Sequence, residues 1–141
     1  MTVIGLGNEW RGDDGVGIEV ARRVGGRLLD GEPIGLVEAF DGEDEVVLVD
    51  AVSTGASPGT IFVFDASSEP LPTPIFGASS THALGLAEAI ELARTLGRLP
   101  GRVVVCGIEG ESFGFGEGLS SSVAAAADRF TEEVLERTRS T

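Results

Sequence analysis

Asp13-Asp14, Asp50 and His82 are the residues of this sequence whose types and spacing suit catalysis, and little else is available. All ten basic residues are Arg, so a Schiff-base lysine and the phosphate-binding lysine of a Walker A loop are excluded. One Cys, Cys106, permits no internal disulfide and no multi-cysteine metal cluster. One His, His82, rules out a zinc protease of the His-Glu-x-x-His type. Chemistry must therefore come from carboxylates, His82, Cys106, hydroxyls or main chain. Two carboxylates and one imidazole can hold a divalent first-row metal. Carboxylates beside a neutral His can also orient or activate water.

The elements that would position these groups follow from hydrophobic periodicity. Thr2 to Leu6 reads as a short buried strand, followed by a glycine-rich polar loop from Gly5 to Gly15. Val16, Val20, Val24 and Leu28 recur every fourth residue, which predicts a helix. Ile34 to Phe40 reads as a strand, and Val46 to Val49 as a strand buried on both faces that stops at Asp50. Gly59 to Phe64 follows a Ser-Pro-Gly turn and is expected to run antiparallel at an edge. Glu69 to Ser80, with three prolines, reads as loop. Helices are expected over about 82–96 and 120–137, with a buried strand from Arg102 to Cys106 and a glycine-rich loop from Gly107 to Gly118 between them.

This alternation predicts a three-layer α/β sandwich: a mostly parallel, twisted, five-stranded sheet with helices on both faces and one antiparallel edge strand. The whole chain, 1–141, reads as a single domain. Only Asp41 to Glu45 separates two of the expected strands, too short for the dozen or more residues of a parallel crossover. In such a sheet, ligands sit beyond the carboxyl ends of the strands. Asp14 follows the first strand, Asp50 ends the third, and His82 opens the second helix, so the three are expected to meet in one crevice.

Each residue has a structural alternative. One of Asp13 and Asp14 is expected to cap the first helix, with Asp13 the structural member of the pair. Asp50 can cap the turn that follows it, and a His at a helix start is often a cap or a surface residue. Cys106 with His82 has the composition of a cysteine-type pair, but Cys is commonly a small core residue. The loop Gly5-Leu6-Gly7-Asn8-Glu9-Trp10 lacks the third glycine of the dinucleotide fingerprint, because Trp10 stands there. Its glycines suit close approach of a partner's backbone. Trp10 suits either an interface anchor or packing against the first helix.

The net charge of −13 argues against nucleic acid and against anionic membranes. No apolar run reaches the roughly 20 residues of a membrane span, and no signal peptide is evident, so a cytoplasmic protein is expected. A receiver domain of the phospho-aspartate type shares an acidic pair and an Asp ending its third strand. It also needs a Lys, which is lacking here.

Taken in order, the motifs resemble those of one family, the hydrogenase maturation proteases. Gly5-Leu6-Gly7-Asn8 with Gly12-Asp13-Asp14-Gly15-Val16-Gly17 is similar to its N-terminal signature. Val47-Leu48-Val49-Asp50-Ala51 resembles its strand ending in Asp-Ala, and Ser57-Pro58-Gly59-Thr60 its Pro-Gly-Thr. Thr81-His82-x-Leu84-Gly85-Leu86 resembles its His-x-x-Gly-Leu, and Gly107-Ile108-Glu109 with Gly118-Leu119-Ser120 its last loop. The resemblance implies an endopeptidase that removes the C-terminal extension from the large-subunit precursor of a nickel–iron hydrogenase. It implies that Asp14, Asp50 and His82 are both the catalytic and the metal-contacting residues. Gly7, Asn8 and Asp13 are assigned to the loop that meets the substrate.

The resemblance further implies no permanently bound cofactor. The nickel arrives with the substrate as a recognition mark, and Ni, Cd or Zn can occupy the site. The partner is the precursor, with no nucleic acid and no membrane, and a monomer is favoured. A site of two carboxylates and one imidazole leaves coordination positions for substrate and water. Activation of water by an Asp and by the metal both remain open. A non-cleaving module that binds nickel-loaded precursor is the alternative. The family carries a helix between the second and third strands, preceded by Asp-Gly. That helix is expected to be missing here, so that Phe40-Asp41-Gly42-Glu43 is either the end of that motif or merely the lead-in to the third strand, and Asp41 has no assigned role.

Overall fold

The computed structural model describes residues 1–30, 32–76, 81–116 and 118–139, with main chain alone at 73, 74, 81–85, 138 and 139. Five strands form one sheet: β1 (Thr2–Leu6), β2 (Arg27–Leu29), β3 (Glu45–Val52), β4 (Ile61–Asp65) and β5 (Arg102–Glu109). Their spatial order is β2-β1-β3-β5-β4. The first four of these run parallel, and β4 pairs antiparallel with β5 at the edge. The sheet therefore has the mixed form that the alternation of elements predicts.

Beyond Glu45 and Arg102 at their starts, β3 and β5 are buried throughout, as the runs Val-Val-Leu-Val and Val-Val-Val-Cys require of central parallel strands. Two helices, α1 (Val16–Arg23) and α5 (Ser121–Arg139), cover one face. Val16, Val20, Val123, Ala127 and Phe130 pack there against Val47, Val49 and Cys106. The other face is covered by α2 (Pro33–Ala39), the single turn α3 (Thr73–Phe76) and α4 (Thr81–Thr95). Leu36, Phe40, Phe76, Leu86 and Ile90 meet Ile4, Leu48 and Val105 on that side.

Two expectations are corrected. Ile34 to Phe40 is not a strand but belongs to α2, and the expected missing helix is present between β2 and β3. As a strand, this segment would put Ile34, Leu36, Glu38 and Phe40 on one side. As a helix it buries Leu36, Val37, Ala39 and Phe40 and leaves Ile34 and Glu38 in water. Pro33 occupies the first turn, where its missing N–H is harmless, and the Glu32 carboxylate accepts the N–H groups of Ile34 (3.2 Å) and Gly35 (3.0 Å).

The first helix also ends sooner than its four-residue repeat suggests. The Gly26 N–H closes onto the Ala21 carbonyl (2.7 Å), the chain turns, and Leu28 belongs to β2. The second strand is thus three residues long and lies where the sequence reads as helix. The expected loop from Glu69 to Ser80 contains α3, and residues 77–80 lie outside the described residues.

Candidate functional site

The strand order fixes where a site can form. After β1 the chain crosses by α1 to β2 on one side. After β3 it leaves for β4, α4 and β5 on the other, and α1 and α4 lie on opposite faces. The carboxyl ends of β1 and β3 therefore flank the topological switch point, where the two connections part and leave a crevice. Asp14 comes from the connection after β1, and Asp50 from the carboxyl-terminal part of β3, which does not stop there as expected but runs on to Val52.

Close packing holds these two connections together. A Cβ at Gly17 would stand 2.2 Å from the Val49 carbonyl oxygen and 2.7 Å from that of Leu6. The start of α1 thus rests directly on the ends of β1 and β3, one residue before Asp50. Gly7, at φ +135°, lies equally close to the Asp14 carbonyl. Only glycine fits both the conformation and the space at that position.

Asp14 lies in a 3-10 turn (Gly12–Gly15) and is 6% exposed. Its Oδ2 accepts the Asn8 N–H at 3.0 Å. The Asn8 side chain turns back on its own loop, where Oδ1 accepts the Trp10 N–H at 2.9 Å. Asp50 is fully buried and its Oδ1 accepts the Ala51 N–H at 2.8 Å. By alternation along β3 it shares the side of Leu48 and Val52, the side covered by α4. His82 is the second residue of α4, which packs against β3, and its side chain lies outside the described residues. Among the described residues no three His, Cys, Asp or Glu side chains gather as a metal site.

Asp13 does not cap α1, for which no side-chain cap forms. It is buried and turned toward the connection between β5 and α5. Its Oδ1 accepts the Ser120 N–H (2.8 Å). Its Oδ2 accepts the N–H groups of Glu111 (2.8 Å) and Ser112 (3.0 Å) and the Ser120 hydroxyl (2.8 Å). Burial pushes its pKa up, but the N–H groups of Ser112, Ser120 and Glu111 and the Ser120 hydroxyl outweigh that and hold it below the ordinary carboxylate value. Asp13 therefore ties the Gly12–Gly15 turn to the connection between β5 and α5. Main-chain bonds reinforce the seam: Gly12 N–H to the Gly116 carbonyl (2.9 Å) and Gly116 N–H to the Trp10 carbonyl (2.8 Å).

Glu109 is the functional-looking residue that sequence reasoning passed over. Buried at the end of β5, it accepts the Thr54 N–H (2.9 Å), the Thr54 hydroxyl (2.6 Å) and the Gly55 N–H (3.4 Å), tying down the loop after β3. The signal was a Glu closing an apolar run at a strand end, the position that singled out Asp50. Cys106 lies in the core against α5, and burial with the Glu133 charge drives its pKa far up. A neutral, enclosed thiol is no nucleophile, so the Cys106–His82 pair is set aside.

Comparison with known proteins identifies the family. A model of the family described as hydrogenase maturation protease matches residues 27–137. The chain belongs to the hydrogenase maturation protease family. It is 28% identical over 146 aligned positions to the hydrogenase 2 maturation protease of Escherichia coli, covering 96% of this chain and 88% of that protein. A putative hydrogenase maturation protease of Methanocaldococcus jannaschii is 29% identical, with 96% and 94% covered. The fold matches the hydrogenase maturating endopeptidase HybD from E. coli with a TM-score of 0.82 and 26% identity over 99% of this chain and 93% of that one. The HybD protease of Thermococcus kodakarensis matches with a TM-score of 0.75 and 27% identity, covering 96% and 98%. By family, then, this is a peptidase of hydrogenase maturation.

Membership also re-reads one motif. In sequence the Asp-Gly expected before the family's helix is Asp30-Gly31, with Asp30 directly after β2 and Gly31 outside the described residues. Asp41-Gly42 instead follows α2 at the amino end of β3, far from the site. There Asp41 is largely exposed and pairs with Arg98 at 3.6 Å. Trp10 is 59% exposed, so it does not pack into α1.

Proposed function

We propose that this family member removes the C-terminal extension of a nickel-loaded large-subunit precursor, with Asp14, Asp50 and His82 as its working residues. The observation that carries the reading is the placing of Asp14 and Asp50, two buried carboxylates, on either side of the switch-point crevice. Helix α4, which carries His82 in its first turn, packs against the same strand as Asp50. Buried carboxylates are retained where a cation or a proton meets them. Nickel enters as part of the substrate and marks the precursor as ready for cutting. Two carboxylates and an imidazole would hold it while leaving positions for the substrate's own ligands. An aspartate beside the scissile carbonyl can take a proton from the attacking water. Asn8 and Gly7 shape the loop that fixes Asp14, and the precursor's chain passes along that loop.

Intact mass of a nickel-loaded precursor incubated with the protein tests this. Loss of a C-terminal peptide with wild type, and its abolition in Asp14→Asn, Asp50→Asn and His82→Ala, is expected. An unchanged mass with a precursor that a related protease processes would make the chain a binding module instead.

A further inference from the structure

Strand β2 forms one edge of the sheet and, among the described residues, pairs with β1 alone. The Gly7 N–H donates to the Leu29 carbonyl at 3.3 Å, so the main-chain groups of Leu29 face β1. Along a parallel strand these directions alternate, which turns the N–H and C=O of Leu28 outward, away from the sheet. An outward, unpaired pair of main-chain groups on an edge strand is a template for another chain. Natural edges are commonly protected by charge, Pro or a covering segment. Here Leu28 itself is 43% exposed.

Beside this edge lies a cleft of about 330 Å³, bounded by Asn8, Trp10, Ile18, Leu28 and Leu29. Its volume is in the range of sites that hold a ligand. Two of its walls, Trp10 and Leu28, are apolar side chains left in water. The cleft adjoins the candidate site through Asn8, which lines it and donates its N–H to Asp14. The other sheet edge, β4, offers no such route, being three strands away from β1.

We infer that the precursor's tail is held as an added strand on the outer edge of β2, with side chains entering the Trp10–Leu28 cleft, so that the chain runs on past Asn8 to Asp14. This rests on the peptidase reading above and specifies where the substrate lies. Strand addition binds through main chain, so it accepts many side-chain sequences, while the cleft selects at alternate positions. It also delivers an extended peptide, the form in which a scissile bond is open to attack from both faces.

Leu28→Pro removes the outward N–H while leaving the β1 side of the strand intact, since proline is tolerated on an edge. With nickel-loaded precursor, the expected result is a fall in kcat/KM of at least fivefold, carried by KM, with an unchanged melting temperature. Leu28→Ala, which keeps the N–H, is expected to lose less. Equal cleavage by wild type and a folded Leu28→Pro variant overturns the inference and leaves the peptidase reading standing. Absence of cleavage by wild type overturns the reading itself. Should Leu28→Pro fold poorly, amide hydrogen exchange decides. In wild type pulse-labelled just after mixing with nickel-loaded precursor, before the tail is released, the Leu28 amide is expected to slow at least tenfold while the β4 amides keep the rates of the unmixed protein. Protection at β4, or none at Leu28, overturns the inference.

Discussion

Replacing Gly17 by Ala tests the claim that contact between α1 and the ends of β1 and β3 sets the spacing of Asp14 and Asp50. The added Cβ would lie 2.2 Å from the Val49 carbonyl oxygen and 2.7 Å from that of Leu6, where real Cβ contacts are not found below 3.0 Å. Both obstacles are main chain of central strands, so neither can swing aside. The start of the helix must lift by about 1 Å, taking the turn that carries Asp14 with it. Overpacking of this kind costs about 2–3 kcal/mol. For a chain of this size that corresponds to a fall in Tm of roughly 6–10 °C. Because Asp50 stays on its strand while Asp14 moves, turnover should fall roughly a hundredfold, the usual consequence of an ångström-scale misplacement. Thermal unfolding and single-turnover tail removal, measured well below the new Tm, read the two effects separately. Gly114→Ala is the control, since its Cβ would meet nothing within 4 Å. A Gly17→Ala protein that melts and cuts like wild type would refute the packing argument. One that melts early but cuts normally would refute the link from packing to the site.

Two further outcomes follow from the buried groups. Asp13→Asn puts an amide donor against the N–H groups of Glu111, Ser112 and Ser120, and is expected to destabilise by roughly 3 kcal/mol in chemical denaturation at pH 7. The Asp13 pKa is lowered on folding, so its stabilisation is complete above the unfolded value of about 3.9 and is lost as pH falls through the lower folded value. The wild type should therefore lose more stability than the variant as pH falls below about 4. Cys106, enclosed and held neutral, should not react with a thiol reagent at pH 8 until the protein unfolds, and rapid labelling of native protein would contradict the core placement.

The sequence determined the central strands, the two long helices and the residues at the strand ends. A run such as Val46 to Val49 can be satisfied only by burial on both faces, and an Asp ending it must lie at the carboxyl edge of the sheet. The antiparallel edge at β4 was equally legible, from the Ser-Pro-Gly turn and the alternating burial that an edge allows. What the sequence left ambiguous were the short elements. Seven apolar-rich residues, Ile34 to Phe40, carry too little periodicity to separate strand from helix. The choice fell to tertiary packing, which buries Leu36, Val37 and Phe40 together against α4. Leu28 kept helical spacing but lies beyond the Gly25-Gly26 turn, where three residues can gain a place in the sheet by pairing with β1. The role of Asp13 was decided by contacts some hundred residues away in sequence, with Glu111, Ser112 and Ser120. Local pattern carries no trace of such partners, because the long-range fold alone brings their N–H groups to one carboxylate.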